Sequence, residues 1–307
     1  MTLTLRVAGI HDETDRIRVF ELECPARPAH EAGAHIDVAL APGSRSYSLI
    51  DWPGQTGWRI AVQCEDAGQG GSQAMHALAL GDALTALGPK NDFPLAEHAG
   101  PALLLAGGIG ITPLISHATA LQAAGRPFAI HYTTRSRSAA AFIDPLQAAF
   151  GAALTLHHDD ETPLDLPALM GVQSPDTHLY LCGPRGMIDA ARAAFIAAGL
   201  PESQLHIELF ETTQPQEGDQ PFEVEVADTG DVFTIPPGKT IIEVLEAAGH
   251  DLIYDCQRGD CGICQTDVIA GEPDHRDVVL SEAERASGKL IQICVSRAKS
   301  ARLVLDL

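Results

Sequence analysis

The chain has 307 residues, enough for two or three domains that each bury a core, and 45% of them are hydrophobic. Acidic residues outnumber Lys and Arg by 41 to 20, and the resulting formal net charge of −21 argues against nucleic acid and anionic membrane as partners, since both need basic patches. No apolar run approaches the roughly 20 residues of a membrane helix, so the acidity serves solubility or attraction to a basic patch on a partner protein.

The first segment, residues 1–98, carries short alternating runs broken by Gly and Pro: "TLTLRV", "RIRVFELE", "AHIDVAL", "RSYSLI" and "WRIAVQC". Period-2 alternation at such close spacing predicts an antiparallel β-barrel, with one helix near "GSQAMHALAL". The N-terminus starts as strand and has no basic-then-apolar leader, so a cytoplasmic location is expected, where the seven cysteines stay reduced. Two short stretches stand out, "RSYS" (Arg45, Ser46, Tyr47, Ser48) and, about 20 residues on, "GQGGS" (Gly68 to Ser72). Taken singly, the first is an ordinary amphipathic strand and the second an ordinary loop.

From residue 99 the pattern changes. "PALLLAGGIGITP" is a continuous apolar run ending in glycines, and the helical "LISHATALQAAG" follows it. Then come "PFAIHYTT", the helical "AAFIDPLQAAFGAA", "LTLHHDD", and "THLYLCGP" with the helical "MIDAARAAFIAAG". Strands alternating with helices predict βαβ units on a parallel sheet over 99–211. Gly107, Gly108 and Gly110 end the first strand, with Thr112 as the expected N-cap and Pro113 as the first helical residue. A helix opening there points its N–H groups at an anion such as a pyrophosphate, or the glycines merely make a tight turn. About 20 positions on, where a dinucleotide fold expects an acid, the strand ends in "TTRSRS". Arg135 or Arg137 meets a 2′-phosphate or the adenine side, or both are solvated. Cys182 alone reads as a buried core cysteine.

Residues 212–221, "TTQPQEGDQP", have the composition of a linker. Beyond them "FEVEVADTGDVFTI" predicts a hairpin and "TIIEVLEAAG" a helix. Next is "YDCQRGDCGIC", which spaces Cys256-x4-Cys261-x2-Cys264, and Cys294 comes after 29 further residues in "LIQICVS". This is the plant-type [2Fe–2S] ligand spacing. A loop wraps three thiolates round a small inorganic core, and Gly259 and Gly262 let backbone N–H groups approach it. Zinc sites usually pair two Cys-x2-Cys knuckles, so a zinc site or free cysteines are the lesser alternatives. "HHDDETP" (157–163) reads as a solvated turn, and His76 and His117 read as helix-face residues.

Residues 222–307 resemble a plant-type ferredoxin domain throughout, an α+β (β-grasp) fold. "AGGIGITP", "HYTTRS" and "YLCGP" together resemble the NAD(P)-binding domain of the ferredoxin–NADP reductase superfamily, and "RSYS" with "GQGGS" resembles its flavin-binding barrel. The order of the three resembles the phthalate dioxygenase reductase family over essentially the whole chain. The resemblance implies a multidomain chain: a flavin barrel at 1–98, an NAD(P)-binding α/β domain at 99–211, a linker at 212–221 and a ferredoxin domain at 222–307.

The same resemblance assigns residues. Arg45 binds the flavin phosphate, Ser46 completes its strand, and Tyr47 and Ser48 lie along the isoalloxazine. Gly68, Gly70, Gly71 and Ser72 open a helix onto the phosphate, and Phe210 of "HIELFE" stacks on the flavin with Glu208 nearby. Gly107, Gly108, Gly110 and Thr112 cradle the pyrophosphate of NADH, and Cys182, Gly183 and Pro184 lie against the nicotinamide; of the two arginines left open above, Arg135 is counted with the NADH site. Related sequences often carry basic residues at Gln63 or Cys64 and at Gln69; their absence leaves more of the phosphate charge to Arg45. FMN is expected rather than FAD, because the region after "GPKNDFPL" offers no further adenine site and the resemblance is to FMN-containing members. The implied function is an electron relay from NADH through FMN to a [2Fe–2S] cluster on Cys256, Cys261, Cys264 and Cys294. The acceptor is a terminal Rieske-type oxygenase, and no general base or nucleophile is needed. A monomer is expected. A cytochrome P450 or other iron-protein acceptor is the alternative relay, and a redox sensor or zinc-stapled binding protein is the alternative of another class.

Overall fold

The computed structural model describes every residue except 42, 56, 67, 69 and 212–214, and the chain divides into two compact units, Met1–Glu208 and Leu209–Leu307. In the first unit the alternating runs become antiparallel strands β1 (Thr2–Asp12), β2 (Ile17–Glu23), β3 (His35–Val38), β4 (Arg45–Ser48) and β5 (Trp58–Gln63). A short helix α1 (Gly71–His76) and a sixth strand β6 (Ala83–Lys90) follow. Leu3, Leu5 and Val7 of β1 are all buried, as period-2 alternation requires. The strand order is β4-β3-β6-β1-β2-β5. The sheet curls into a half-barrel whose edges approach where Ile50 N–H donates to the Arg59 carbonyl at 2.9 Å.

The same unit continues with β7 (Ala102–Gly107), α2 (Ile111–Ala123), β8 (Phe128–Thr134), α3 (Ile143–Phe150) and β9 (Leu154–His158). After them come α4 (Leu166–Gly171), β10 (His178–Cys182), α5 (Arg185–Ala197) and β11 (Leu205–Glu208). The five strands are parallel in the order β11-β10-β7-β8-β9. All six residues of central β7 are buried, which is why its sequence is continuously apolar. Helix α4 was not expected; Asp165 caps it, accepting the Ala168 N–H at 3.0 Å.

Two expectations are corrected here. Thr112 is not the N-cap of α2, nor Pro113 its first residue. A 3₁₀ turn at Gly108–Gly110 runs straight into the helix, Ile111 N–H bonds back to the Gly108 carbonyl, and Thr112 donates its hydroxyl to the Ile109 carbonyl at 3.0 Å. His157 and His158 are not in a solvated turn but end β9. His157 Nε2 lies 3.0 Å from His131 Nδ1, and buried His158 lies 2.9 Å from the Thr134 hydroxyl.

Helix α2 joins the half-barrel to the parallel sheet. The buried Ser116 hydroxyl accepts the Asp51 N–H at 2.9 Å and donates to the Leu49 carbonyl at 2.8 Å, and Thr119 donates to the Asp51 carbonyl at 2.7 Å. One core accordingly mixes barrel residues Ile17, Val19, Ile50 and Trp52 with Ile111, Leu114 and Ile115 of α2.

The second unit begins with the hairpin β12 (Phe222–Val226) and β13 (Val232–Ile235), then α6 (Ile241–Ala247), where Thr240 and Glu243 form a reciprocal capping box. It continues with β14 (Gln265–Ala270), β15 (Pro273–Asp274), α7 (Glu282–Ser287), β16 (Leu290–Gln292), β17 (Arg297–Ala298) and β18 (Arg302–Leu305). The order β13-β12-β18-β14-β16, with β12 and β18 parallel, is that of an α+β grasp around α6.

Residues 212–214 of the expected linker lie outside the described residues, but the rest is not free. Asp219 takes both Nη atoms of Arg276, at 3.1 and 2.6 Å, and accepts the Gln216 N–H. Arg297 donates to the Gln220 carbonyl and stacks on the Phe222 ring. The Asp219 and Arg276 side chains are 7% and 9% exposed, and Arg276 holds the Asp219 carboxyl below its usual range. Residues 216–220 are thus strapped to the second unit. Asp219→Ala removes the two bonds that its carboxylate accepts from Arg276, and we expect a loss of about 2 kcal/mol in urea unfolding of the second unit.

His117 is fully buried; its Nε2–H donates to the Phe93 carbonyl at 2.9 Å, and Nδ1 has no hydrogen-bond partner among the described residues. Burial pushes its imidazole down to about 4, so the neutral form stabilises the fold fully above the unfolded value near 6.5. About 3 kcal/mol of stability is lost as pH falls from 6.5 to 4. His117→Gln should therefore flatten the pH dependence of unfolding in that window by about one proton, read from urea midpoints at successive pH values.

Candidate functional site

The cysteine loop of the second unit gathers the four thiols that the spacing singled out. Cys264 and Cys294 are buried and Cys256 and Cys261 are half-buried. Cys261 and Cys294 lie within hydrogen-bonding reach of Cys256, and Cys294 also of Cys264; their donation draws the Cys256 thiol down. Arg258 N–H adds a bond to Cys256 Sγ at 3.3 Å, the backbone approach a cluster sulfur needs. The turn depends on Gly259, whose φ of +85° and closeness to Val295, 2.6 Å from any added Cβ, exclude a side chain. Among the described residues, no three Cys, His, Asp or Glu side chains are placed to hold one ion. The contacts run from Cys261 through Cys256 and Cys294 to Cys264, and four thiols so joined can supply two sulfurs to each of two irons.

In the first unit the two halves of the flavin signature meet. A Cβ on Gly71 would lie 2.8 Å from Arg45 Cγ and 2.9 Å from its Nε, so the Arg45 side chain runs across the start of α1. Gly70 precedes that helix at φ +83°, and Ser72 closes the loop by accepting the Glu65 N–H at 2.9 Å. Ser46 is turned to Asp37, donating at 2.6 Å, whereas Ser48 is buried and Tyr47 half-buried against the barrel core. Burial pushes the Tyr47 hydroxyl up to about 12, with Arg45 pulling the other way, so it stays a neutral donor and acceptor. Gln69 lies outside the described residues. Arg16, which the sequence reading did not single out, donates to the Cys64 carbonyl and pairs with Asp66 at 2.9 Å.

The glycine turn after β7 sits at the topological switch point of the parallel sheet, between β7 and β10, where ligands bind open α/β sheets. Its glycines divide the work. A Cβ on Gly110 would fall 2.3 Å from the Cys182 carbonyl, and one on Gly107 2.6 Å from Pro184; one on Gly183 would fall 2.9 Å from the Gly107 backbone. Those three let two turns touch backbone to backbone. Gly108, at φ +54° with nothing near its Cβ position, is the one that faces open space. Cys182 is wholly buried, Arg135 and Arg137 are exposed beyond β8, and the Gly108–Gly110 turn packs on β5 of the half-barrel. Phe210, 39% exposed, opens the second unit beside buried Leu209. A separate cleft of about 680 Å³, lined by Glu21, Trp52 and Arg59 among others, contains none of the predicted residues.

Three supporting groups carried no sequence signal: Ser116, which joins the halves of the first unit, and Asp277 and Arg285 beneath the cysteine loop. Asp277 accepts the Val279 and Leu280 N–H groups and pairs with Arg285 at 3.2 Å. Lone Ser, Asp and Arg residues reveal partners only after folding.

Residues 224–299 match the family described as 2Fe-2S iron-sulfur cluster binding domain. The chain is 42% identical over 313 residues to phenoxybenzoate dioxygenase subunit beta of Ectopseudomonas oleovorans, covering 99% of this chain and 97% of that one. It is 38% identical to phthalate dioxygenase reductase of Burkholderia cepacia, over 99% and 97% of the two chains. A solved phthalate dioxygenase reductase, described as a modular structure for electron transfer from pyridine nucleotides to [2Fe–2S], aligns with a TM-score of 0.71 at 37% identity, over 100% and 98% of the chains. An intact type IV self-sufficient cytochrome P450 monooxygenase aligns at 0.78 and 36%, over 100% of this chain and 41% of its own.

Gly110→Ala is expected to force the two turns apart, since a backbone carbonyl has no rotamer to escape into. Thermal unfolding of the first unit should show about 1–3 kcal/mol of destabilisation, and titration should show weaker NADH binding.

Proposed function

The chain belongs to the phthalate dioxygenase reductase family, and from that premise we propose how its own residues serve the relay. It is an NADH-dependent oxidoreductase that carries electrons through FMN to a [2Fe–2S] cluster and on to a terminal oxygenase. Bound FMN supplies the conversion of a two-electron hydride into single electrons, which the cluster takes one at a time.

The chain's work is positioning. Arg45, drawn across Gly71, holds the flavin phosphate with Gly68, Gly70 and Ser72, while Tyr47 and Ser48 line the ring; Phe210 is assigned to the flavin by the family resemblance alone. Gly107, Gly108, Gly110 and Thr112 shape the pyrophosphate turn, and Arg135 takes the adenine side. Cys182, Gly183 and Pro184 present a backbone surface to the nicotinamide. Cys256, Cys261, Cys264 and Cys294 ligate the cluster, and no side chain is assigned a proton transfer. The boundaries 1–98, 99–211 and 222–307 belong to this reading, as do a Rieske-type acceptor, a monomeric state and a cytoplasmic location.

One observation carries it most: four thiols converge in one unit of a chain whose other unit ties Arg45 to Gly71 and β4 to the glycine turn through Ser116. Purified protein should release FMN and show iron and sulfide in equal amounts. Cys294→Ser should retain NADH-driven ferricyanide reduction yet lose reduction of a Rieske-type oxygenase; full oxygenase reduction by that variant would sink the relay order. Because the aligned P450 carries this arrangement in one chain, reconstitution with a P450 is the second arm. Reduction of the P450 and not of the oxygenase would replace the acceptor.

A further inference from the structure

The segment "HHDDETP" has no task in the relay, yet the first unit brings it beside the glycine turn. Three strand ends stand next to one another there. Gly107, which precedes the turn, is paired in register with Thr133 of β8, and Thr134 is paired with His158 of β9. The pairing runs one residue past β9, where Asp159 N–H donates to the Thr134 carbonyl at 2.9 Å. The Thr133 hydroxyl donates to Asp159 Oδ1 at 3.4 Å, so the carboxylate is turned back onto the end of β8. A tight turn fixes the backbone at this point, since the His158 carbonyl accepts the Glu161 and Thr162 N–H groups at 3.0 and 2.7 Å. Asp159 itself is exposed, which leaves its charge open to a ligand. In a dinucleotide fold the strand after the glycines ends in an acid that takes the ribose 2′-hydroxyl. Here β8 ends in exposed Arg135, a cation suited to a 2′-phosphate. The missing acid reaches the same strand end from β9, through Thr133.

We propose that Asp159 is a specificity-determining residue for the nicotinamide coenzyme: its carboxylate, held at the end of β8 by Thr133, accepts the adenosine 2′-hydroxyl of NADH and repels the 2′-phosphate of NADPH. The proposal rests on the glycine turn as the pyrophosphate site, as read above. The ribose hydroxyl brings a donor proton to the carboxylate, whereas a 2′-phosphate brings a charge of about −1.5 to −2 and no donor. Selectivity built this way comes from rejecting the wrong coenzyme as well as from holding the right one. Asp160 and Glu161 add to the negative charge, but of these three acids Asp159 is the one whose side chain β8 holds, among the described residues.

The test measures equilibrium binding to the oxidised full-length holoprotein by calorimetry. The probes are 5′-AMP and adenosine 2′,5′-bisphosphate, which differ only in the 2′-phosphate, together with NAD⁺ and NADP⁺. Wild-type protein should bind each 2′-hydroxyl probe more tightly than its 2′-phosphate counterpart. Asp159→Asn removes the charge and keeps an oxygen for the Thr133 hydroxyl. It should raise the affinity for the bisphosphate relative to AMP about tenfold, and for NADP⁺ relative to NAD⁺ alike. Asp160→Asn removes the same charge from the next residue and should change either ratio less than about twofold, because solvent and salt screen it. An unchanged ratio in Asp159→Asn overturns the proposal. So does an equal rise in Asp160→Asn, which would assign the preference to the acidic turn as a whole. Wild-type protein that binds the bisphosphate as tightly as AMP overturns it too. Should Asp159→Asn not fold, Asp159→Ser, which also keeps an oxygen near Thr133, carries the same comparison. Folded Gly110→Ala that binds NAD⁺ as the wild type does would bring down the pyrophosphate reading, and the proposal with it.

Discussion

A single buried hydroxyl sets the frame of the first unit. Ser116 accepts the Asp51 N–H and donates to the Leu49 carbonyl, so α2 is bonded to the chain just where it leaves β4. The strand bearing Arg45, Tyr47 and Ser48 and the helix that grows from the glycine turn consequently move as one body. The bond to the Leu49 carbonyl is buried, and leaving such a group unpaired costs about 1–3 kcal/mol. The strand of the first signature and the helix that follows the second are held in place by this bond and by the apolar core around it.

Close backbone approach is the second recurring device. At the switch point, Gly110 lies under the Cys182 carbonyl and Gly107 under Pro184, with no room for a Cβ between them. In the cysteine loop, Gly259 does the same against Val295 and Asp277. In both places the missing side chain allows a close approach that a Cβ would block. Glycines that read as phosphate cradles are in part packing glycines, and Gly108 alone of the triad faces open space.

The large acidic excess is not uniformly a solvated surface. Asp219, Asp260 and Asp277 are each turned inward and matched by arginine or by backbone N–H groups, and together they bind the opening segment, the cysteine loop and the loop beneath it into one assembly. Buried carboxylates of this kind are costly without partners and strongly directional with them. They suit a unit whose small sheet must present a cluster in fixed geometry.

Much was legible in the primary structure because it is written in short-range terms. Period-2 runs gave β1 to β5, the apolar run gave central β7, and cysteine spacing named the four thiols, since strand alternation and a ligand loop are both set by near neighbours in sequence. The start of α2, the strand position of His157 and His158, helix α4 and the strapped half of the linker were decided only by tertiary structure. Each depends on a partner distant in sequence or on backbone geometry that composition does not encode: a 3₁₀ turn continuing into a helix, a histidine across a parallel register, an Arg276 that turns a polar stretch into a fastened one. Sequence by itself determined which chemistry the chain can hold. Folding decided where it is held, because Arg45 and Gly71, Gly110 and Cys182, and Leu209 and Asp260 become neighbours only when the long-range hydrogen bonds and shared cores have formed.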